Sequence, residues 1–108
     1  MHKKISRYNN LMTIYALSSG AGVSGVAVIR VSGPDTENVI KKLTSKEIPV
    51  PRVATLRKLN NTNTSELIDE GLILWFPGPE SYTGEDMAEI HIHGGKAVIL
   101  AIQKEISK

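Results

Sequence analysis

The sequence contains no cysteine, which excludes disulfides, thiolate metal ligation and a cysteine nucleophile and is merely compatible with a reducing compartment. Aromatic residues are scarce at 5%, with a single Trp and a single Phe. No apolar run approaches the roughly 20 residues that span a bilayer, so no membrane role is expected. Acidic residues are missing from positions 1–11, which hold Lys3, Lys4 and Arg7. The whole chain carries 13 basic and 11 acidic residues. Its basic excess therefore belongs to this stretch, and the remainder has no surplus of the kind that binds nucleic acid. Positions 1–11 also lack the apolar centre of a secretory leader, and Met12 stands where a natural start could be. They are expected to form a disordered extension, with a short basic contact arm as the alternative.

What is present suits one domain. In 108 residues, 41% hydrophobic and 22% charged, there is room for a single core. Thr13 to Leu17 reads as a short strand, and Ser18 to Gly25 as a glycine-rich loop, either a plain turn or an anion cradle. Val26 to Ser32 is nearly all apolar, as in a central strand covered on both faces. Arg30 interrupts it, and is either ion-paired for structural reasons, near the strand end, or turned toward a ligand. Pro34, at the first helical position, and Asp35 with Glu37 open a helix whose buried stripe is Val39, Ile40 and Leu43. Pro49 and Pro51 lead into an extended segment over Arg52 to Leu59, with an edge position suggested. The polar turn Asn60 to Ser65 then joins it to a strand over Ile68 to Phe76 in a hairpin. Val98, Ile99, Ile102 and Ile106 predict a final helix over Lys96 to Ile106. That helix has no terminator before Lys108, which suggests a piece of something longer.

The chemistry gathers between Leu74 and Val98. Glu89-Ile90-His91-Ile92-His93 alternates strictly, so Glu89, His91 and His93 share one strand face while Ile90 and Ile92 enter the core. Those three side chains could ligate a metal, but no fourth ligand is evident. Glu85, Asp86 and Glu89 could form an acid/base set, but no nucleophile or oxyanion device accompanies them. A binding pocket accounts for more of the pattern. Glu89 offers a carboxylate, Arg30 a fork of parallel donors, Tyr82 a flat face with a polar tip, and Gly94-Gly95 a backbone that a flat ligand can approach. A heteroaromatic ring with an amidine-like N–C–N edge, such as a pterin, matches that set.

Two ordered motifs carry a family resemblance. Gly25-Val26-Ala27-Val28-Ile29-Arg30-Val31-Ser32-Gly33 is one. Phe76-Pro77-Gly78-Pro79-Glu80-Ser81-Tyr82-Thr83-Gly84-Glu85-Asp86-Met87-Ala88-Glu89 with His93-Gly94-Gly95 is the other. Together, in one register from Met12 to Lys108, they closely resemble the N-terminal domain of the MnmE (TrmE) family of tRNA modification GTPases. Tyr82 to Asp86 is also similar to a motif of the folate-binding T-protein of the glycine cleavage system. The resemblance implies an α+β domain of about five strands and two principal helices, spanning 12–108, that binds formyl- or methylene-tetrahydrofolate and forms a homodimer. It further implies a cytoplasmic parent protein that acts with an MnmG-type flavoprotein on the wobble uridine of tRNA and uses GTP, magnesium and potassium. By motif position Arg30 and Glu89 match folate-contacting residues; Tyr82, Gly94 and Gly95 follow from location and chemistry. The family's helical and GTPase domains have no counterpart here. Gly94-Gly95-Lys96-Ala97 is not a P-loop, because it lacks the earlier glycine and the hydroxyl after lysine, so no GTP hydrolysis is expected of these residues. The alternatives are a structural dimerisation domain without folate binding, and a small metal-dependent enzyme built on Glu89, His91 and His93.

Overall fold

A computed structural model describes residues 2–5, 12–18 and 25–108. Alternating apolar positions build an antiparallel sheet, and two amphipathic segments cover one of its faces. In chain order the elements are β1 (His2–Ile5), β2 (Met12–Leu17), β3 (Val26–Ser32), α1 (Thr36–Thr44), β4 (Thr55–Asn60), β5 (Leu67–Phe76), β6 (Met87–His93) and α2 (Lys96–Ile106). The sheet order is β1-β2-β3-β6-β5-β4, and every neighbouring pair is antiparallel. The five expected strands are β2 to β6, with β4 at an edge, and the two expected helices are both present.

Three expectations change. His2–Ile5, placed in a disordered extension by the sequence, pairs with β2 from His2↔Tyr15 to Ile5↔Met12. The pairing supplies partners for backbone groups that β2 would otherwise leave open along a sheet edge. The rest of that extension, Met1 and 6–11, lies outside the described residues, as do 19–24 of the glycine-rich loop. Secondly, Pro34 sits in the turn before α1, and Asp35 takes the N-cap position without a side-chain cap bond. Its N–H instead donates to Thr13 Oγ1 at 2.8 Å, which ties the helix start to β2. Thirdly, β3 is fully covered on one face, while its other face is open at Val26 and Arg30 and covered at Ser32. Ala27, Ile29 and Val31 are fully buried, whereas Val26 is 54% exposed and Arg30 is exposed.

The covered face is the core. Ile29, Ile73 and Ile90, on three adjacent strands, lie with Trp75 and Leu59 beneath Val39, Ile40 and Leu43 of α1 and Ile99, Ile102 and Ile106 of α2. Burying one such aliphatic side chain is worth about 2 kcal/mol. The β4–β5 turn is held to α2 by the buried Glu105 carboxylate, which accepts from Thr62 N–H at 2.8 Å, Thr62 Oγ1 at 2.9 Å and Lys108 Nζ at 3.0 Å. Among the described residues no helix covers the opposite face of the sheet. Across its middle stand Val28 and Arg30 of β3, Glu89 and His91 of β6, and Leu72 and Leu74 of β5.

Asp69 closes the far end of the β5–β6 pair. Its carboxylate accepts from the His93 backbone N–H at 3.0 Å and lies 2.8 Å from His93 Nδ1. Burial pushes the Asp69 carboxyl up, but these bonds, with a further backbone N–H from Glu70 and the charge of His93, outweigh it and hold the group below its ordinary value of 3.8. A carboxyl depressed in the folded state contributes stability above its unfolded value and loses it as pH falls through the folded one. Urea midpoints measured from pH 6 to pH 2 are therefore expected to fall below about pH 4. Asp69→Asn should cost about 1.5 kcal/mol at pH 7 and flatten that acid limb. An unchanged acid limb in the variant would remove Asp69 from the account.

Candidate functional site

The site follows from strand pairing. Arg30 and Glu89 are directly opposite in the β3–β6 ladder, so both project from the open face. Arg30 Nε donates to Glu89 Oε2 at 3.1 Å. His91, two residues along the same face, brings Nε2 to 3.0 Å from Glu89 Oε1. The Glu89 side chain is 18% exposed and that of Arg30 48%. The guanidinium thus stays in contact with solvent while its carboxylate partner is largely withdrawn. A pair this open contributes at most about 1 kcal/mol to stability, so structure alone gives little reason for a guanidinium in mid-strand.

The loop between β5 and β6 brings in the aromatic. Arg52 donates from Nη2 to the Glu80 carbonyl at 2.7 Å, and the Gly78 N–H donates to Asp86 Oδ1 at 2.9 Å. The Asp86 carbonyl accepts from Gly33 N–H at 2.9 Å, and the Ser81 hydroxyl bonds the Glu85 carbonyl. The Gly78–Pro79 peptide is cis. Held this way, the loop presents Tyr82 at 89% exposure, with the Arg30 guanidinium carbon 6.0 Å from its ring centre. Six ångströms is the outer reach of a cation–π contact.

Arg30 and Tyr82 share a cavity of about 230 Å³ with Ile14, Ala16, Ser32 and Met87. Ser32 Oγ, within 2.8 Å of Thr83 Oγ1, forms a polar pair at this cavity. Glu89 does not line it. It lies on β6, one strand beyond Arg30, whereas the cavity extends toward β2. Gly94 and Gly95 are not part of this cluster either. They follow the far end of β6, roughly 17 Å along the strand from Glu89 at its usual rise per residue, and the space beside Gly95 is open. The structure therefore brings Arg30, Glu89 and Tyr82 together and leaves the two glycines apart.

The other candidate sets do not converge. His91 turns to Glu89, but His93 turns away to Asp69, so the three β6 side chains do not aim their polar atoms at one point. Among the described residues no three His, Cys, Asp or Glu side chains are grouped to hold a metal. Asp86 is engaged by Gly78, and Glu85 Oε2 is 3.4 Å from Ser32 Oγ, so neither carboxylate is set opposite Glu89. A larger cavity of about 360 Å³ lies on the helical side among Val39, Leu43, Thr62 and Glu105. It contains none of the sequence candidates, and Glu105 is already satisfied by Thr62 and Lys108.

Ile14, Ala16, Ser32 and Met87 were not singled out by the sequence. Ser32 could have been, since it follows Arg30 by two in one strand and must share its face. Ile14 and Ala16 could not, because their place depends on the β2–β3 register, Ile14↔Ser32 and Ala16↔Arg30.

The sequence family described as GTP-binding protein TrmE N-terminus matches residues 13–108. The chain is 72% identical over 97 residues to a tRNA modification GTPase MnmE from Pelagibacter ubique, an alignment covering 90% of this chain and 22% of that protein. It is 57% identical over 90 residues to a mitochondrial 5-taurinomethyluridine tRNA synthase subunit, GTPB3, from Danio rerio, covering 83% of this chain and 18% of the relative. A tRNA modification GTPase MnmE from Sinorhizobium medicae is 53% identical over 95 residues, covering 88% and 21%. The chain spans about a fifth of the length of these relatives. None of the helices among the described residues is long and apolar enough to cross a membrane.

Proposed function

This chain belongs to the TrmE N-terminus family, and from that premise we propose that it is the tetrahydrofolate-binding and self-associating part of a tRNA modification GTPase. Support comes from one observation above all. A guanidinium fork, a carboxylate and an exposed aromatic ring meet on an uncovered sheet face beside an apolar cavity. That donor and acceptor set suits a pterin: Glu89 accepts from the ring's N–C–N edge, Arg30 orients the ring or its one-carbon substituent, and Tyr82 offers a flat wall. At about 230 Å³ the cavity is below the roughly 300–1,000 Å³ that buries a drug-sized ligand, so in this proposal it takes one side of the ring, the N–C–N edge reaches past Arg30 to Glu89 outside it, and the remainder of a folate stays in solvent. When bound, the folate supplies a one-carbon unit. In this proposal the residues here bind and orient it.

The remaining functions belong to the longer protein in this proposal: GTP with magnesium and potassium, the MnmG-type flavoprotein, the wobble uridine of tRNA, and a cytoplasmic setting. Self-association is proposed through the open face, where Val26, Leu56 and Leu72 are 54%, 57% and 39% exposed. The three line one shallow hollow, and clustered exposed apolar side chains on a small domain favour a partner surface. It also supports the second reading, a dimerisation domain without useful folate affinity.

Calorimetric titration with formyl-tetrahydrofolate, run beside sedimentation at tens of micromolar, separates the two. One ligand per chain in a homodimer, with Arg30→Ala at least tenfold weaker, supports folate binding. A folded dimer that gives no heat leaves self-association alone, and a strict monomer removes self-association.

A further inference from the structure

We infer that His91 is a positioning residue for Glu89, holding its carboxylate in the one orientation that leaves each oxygen a lone pair for an N–C–N edge; this rests on the folate binding proposed above. Arg30 Nε lies 3.1 Å from Glu89 Oε2 and His91 Nε2 lies 3.0 Å from Oε1. A carboxylate beside a guanidinium only accepts, so His91 Nε2 must carry the hydrogen and the imidazole tautomer is set by this contact. Each oxygen has two lone pairs and gives one to its protein partner. The remaining pair on each oxygen matches the two parallel N–H donors of an amidine-like edge.

The last torsion of a Glu side chain is broad and roughly two-fold. A bond to Oε2 alone lets the carboxylate plane turn about that torsion, and the second bond, to Oε1, stops it. His91 is itself confined, with Val28 of β3 and Leu72 of β5 opposite it in the two ladders and its side chain 28% exposed. The imidazole borders a separate hollow of about 150 Å³ with Leu56, Leu72 and His93, and it is absent from the wall of the cavity that Arg30 and Tyr82 share. Changing His91 therefore leaves that wall intact and acts on a ligand through Glu89.

The test titrates wild type, His91→Phe and His91→Gln with formyl-tetrahydrofolate by calorimetry, with circular dichroism to verify folding. Phe fills the same space between Val28 and Leu72 without a donor, whereas Gln can return an N–H to Glu89. His91→Phe is expected to bind about tenfold more weakly, the loss of one charge-assisted hydrogen bond, and His91→Gln to remain within about threefold of wild type. Equal affinity in His91→Phe, or a folded His91→Gln as weak as His91→Phe, overturns the inference. Nitrogen-15 spectra of the ligand-free protein read the same contact without folate. His91 is expected to be protonated at Nε2, becoming a mixture of tautomers in Glu89→Ala; a wild-type His91 protonated at Nδ1 alone overturns it. If the wild type binds no folate, the proposed function fails, and the imidazole spectrum still decides the positioning of Glu89.

Discussion

Replacing Glu89 by Ala is expected to weaken formyl-tetrahydrofolate binding by about 100-fold, with little change in stability. A charged acceptor contributes about 1.5–3 kcal/mol per hydrogen bond, and the proposed edge contact uses two. Against this, water competes for the donors of an unbound ring, and 18% of the Glu89 side chain is exposed. A net loss of about 2.7 kcal/mol, or 100-fold, is the balance. Glu89→Gln keeps one acceptor of the right shape and loses the charge, so it should fall between wild type and Glu89→Ala, near tenfold. Stability is expected to move by less than about 1 kcal/mol, because the orphaned Arg30 is half exposed and can be hydrated. Affinity falling in step with the melting temperature would mean that Glu89 acts through folding alone. Undiminished affinity in a folded Glu89→Ala would remove it from the site.

Gly71→Ala is expected to destabilise the domain by about 3 kcal/mol, the upper part of the range for overpacking. Gly71 lies on β5, and a Cβ built there would stand 2.3 Å from the His91 carbonyl oxygen, with the His91 carbonyl carbon and Ile92 Cγ2 each at 3.3 Å. The nearest neighbour is backbone of the adjacent strand and cannot rotate aside, so β5 and β6 must separate where their ladder ends at Leu72↔His91. Urea unfolding reads the effect as a lower midpoint with an unchanged slope. Because His91 is the residue displaced, Gly71→Ala should also weaken folate binding, coupling a packing fault to the site. Gly95→Ala is the control: nothing lies within 4 Å of a Cβ there, and its stability should stay within about 0.5 kcal/mol of wild type. A Gly71→Ala protein as stable as wild type would contradict the β5–β6 geometry.

How much of this was legible in the sequence depends on the range of the interaction. Period-two alternation placed Glu89, His91 and His93 on one face and Ile90 and Ile92 in the core, and Ile90 and Ile92 are indeed buried, because a strand's side-chain direction is a local property. The helix over Lys96–Ile106 was equally legible from its apolar spacing. Strand partners were not. That Arg30 faces Glu89 depends on β3 and β6 pairing across 59 residues of chain, and the motif resemblance suggested both residues without giving their contact. The run from Val26 to Ser32 reads as doubly covered because hydrophobic content does not report which layer lies above a sheet; among the described residues one face has no helix. Gly71 carried no visible signal, since close backbone approach is a property of two strands together. Gly94 and Gly95 show the converse: their composition suggested ligand approach, and their position at the far end of β6 sets them away from Arg30 and Tyr82.

The central claim is that a folate ring lies against Arg30, Tyr82 and Glu89 on the open sheet face. Backbone amide shifts of the nitrogen-15-labelled chain, followed during titration with formyl-tetrahydrofolate, test it most directly. The largest changes are expected at Arg30, Ser32, Tyr82, Thr83 and Glu89, with Val39, Thr62 and Glu105 around the helical-side cavity unmoved. Saturable changes centred on those last three residues, or none at all in a folded protein, would contradict it.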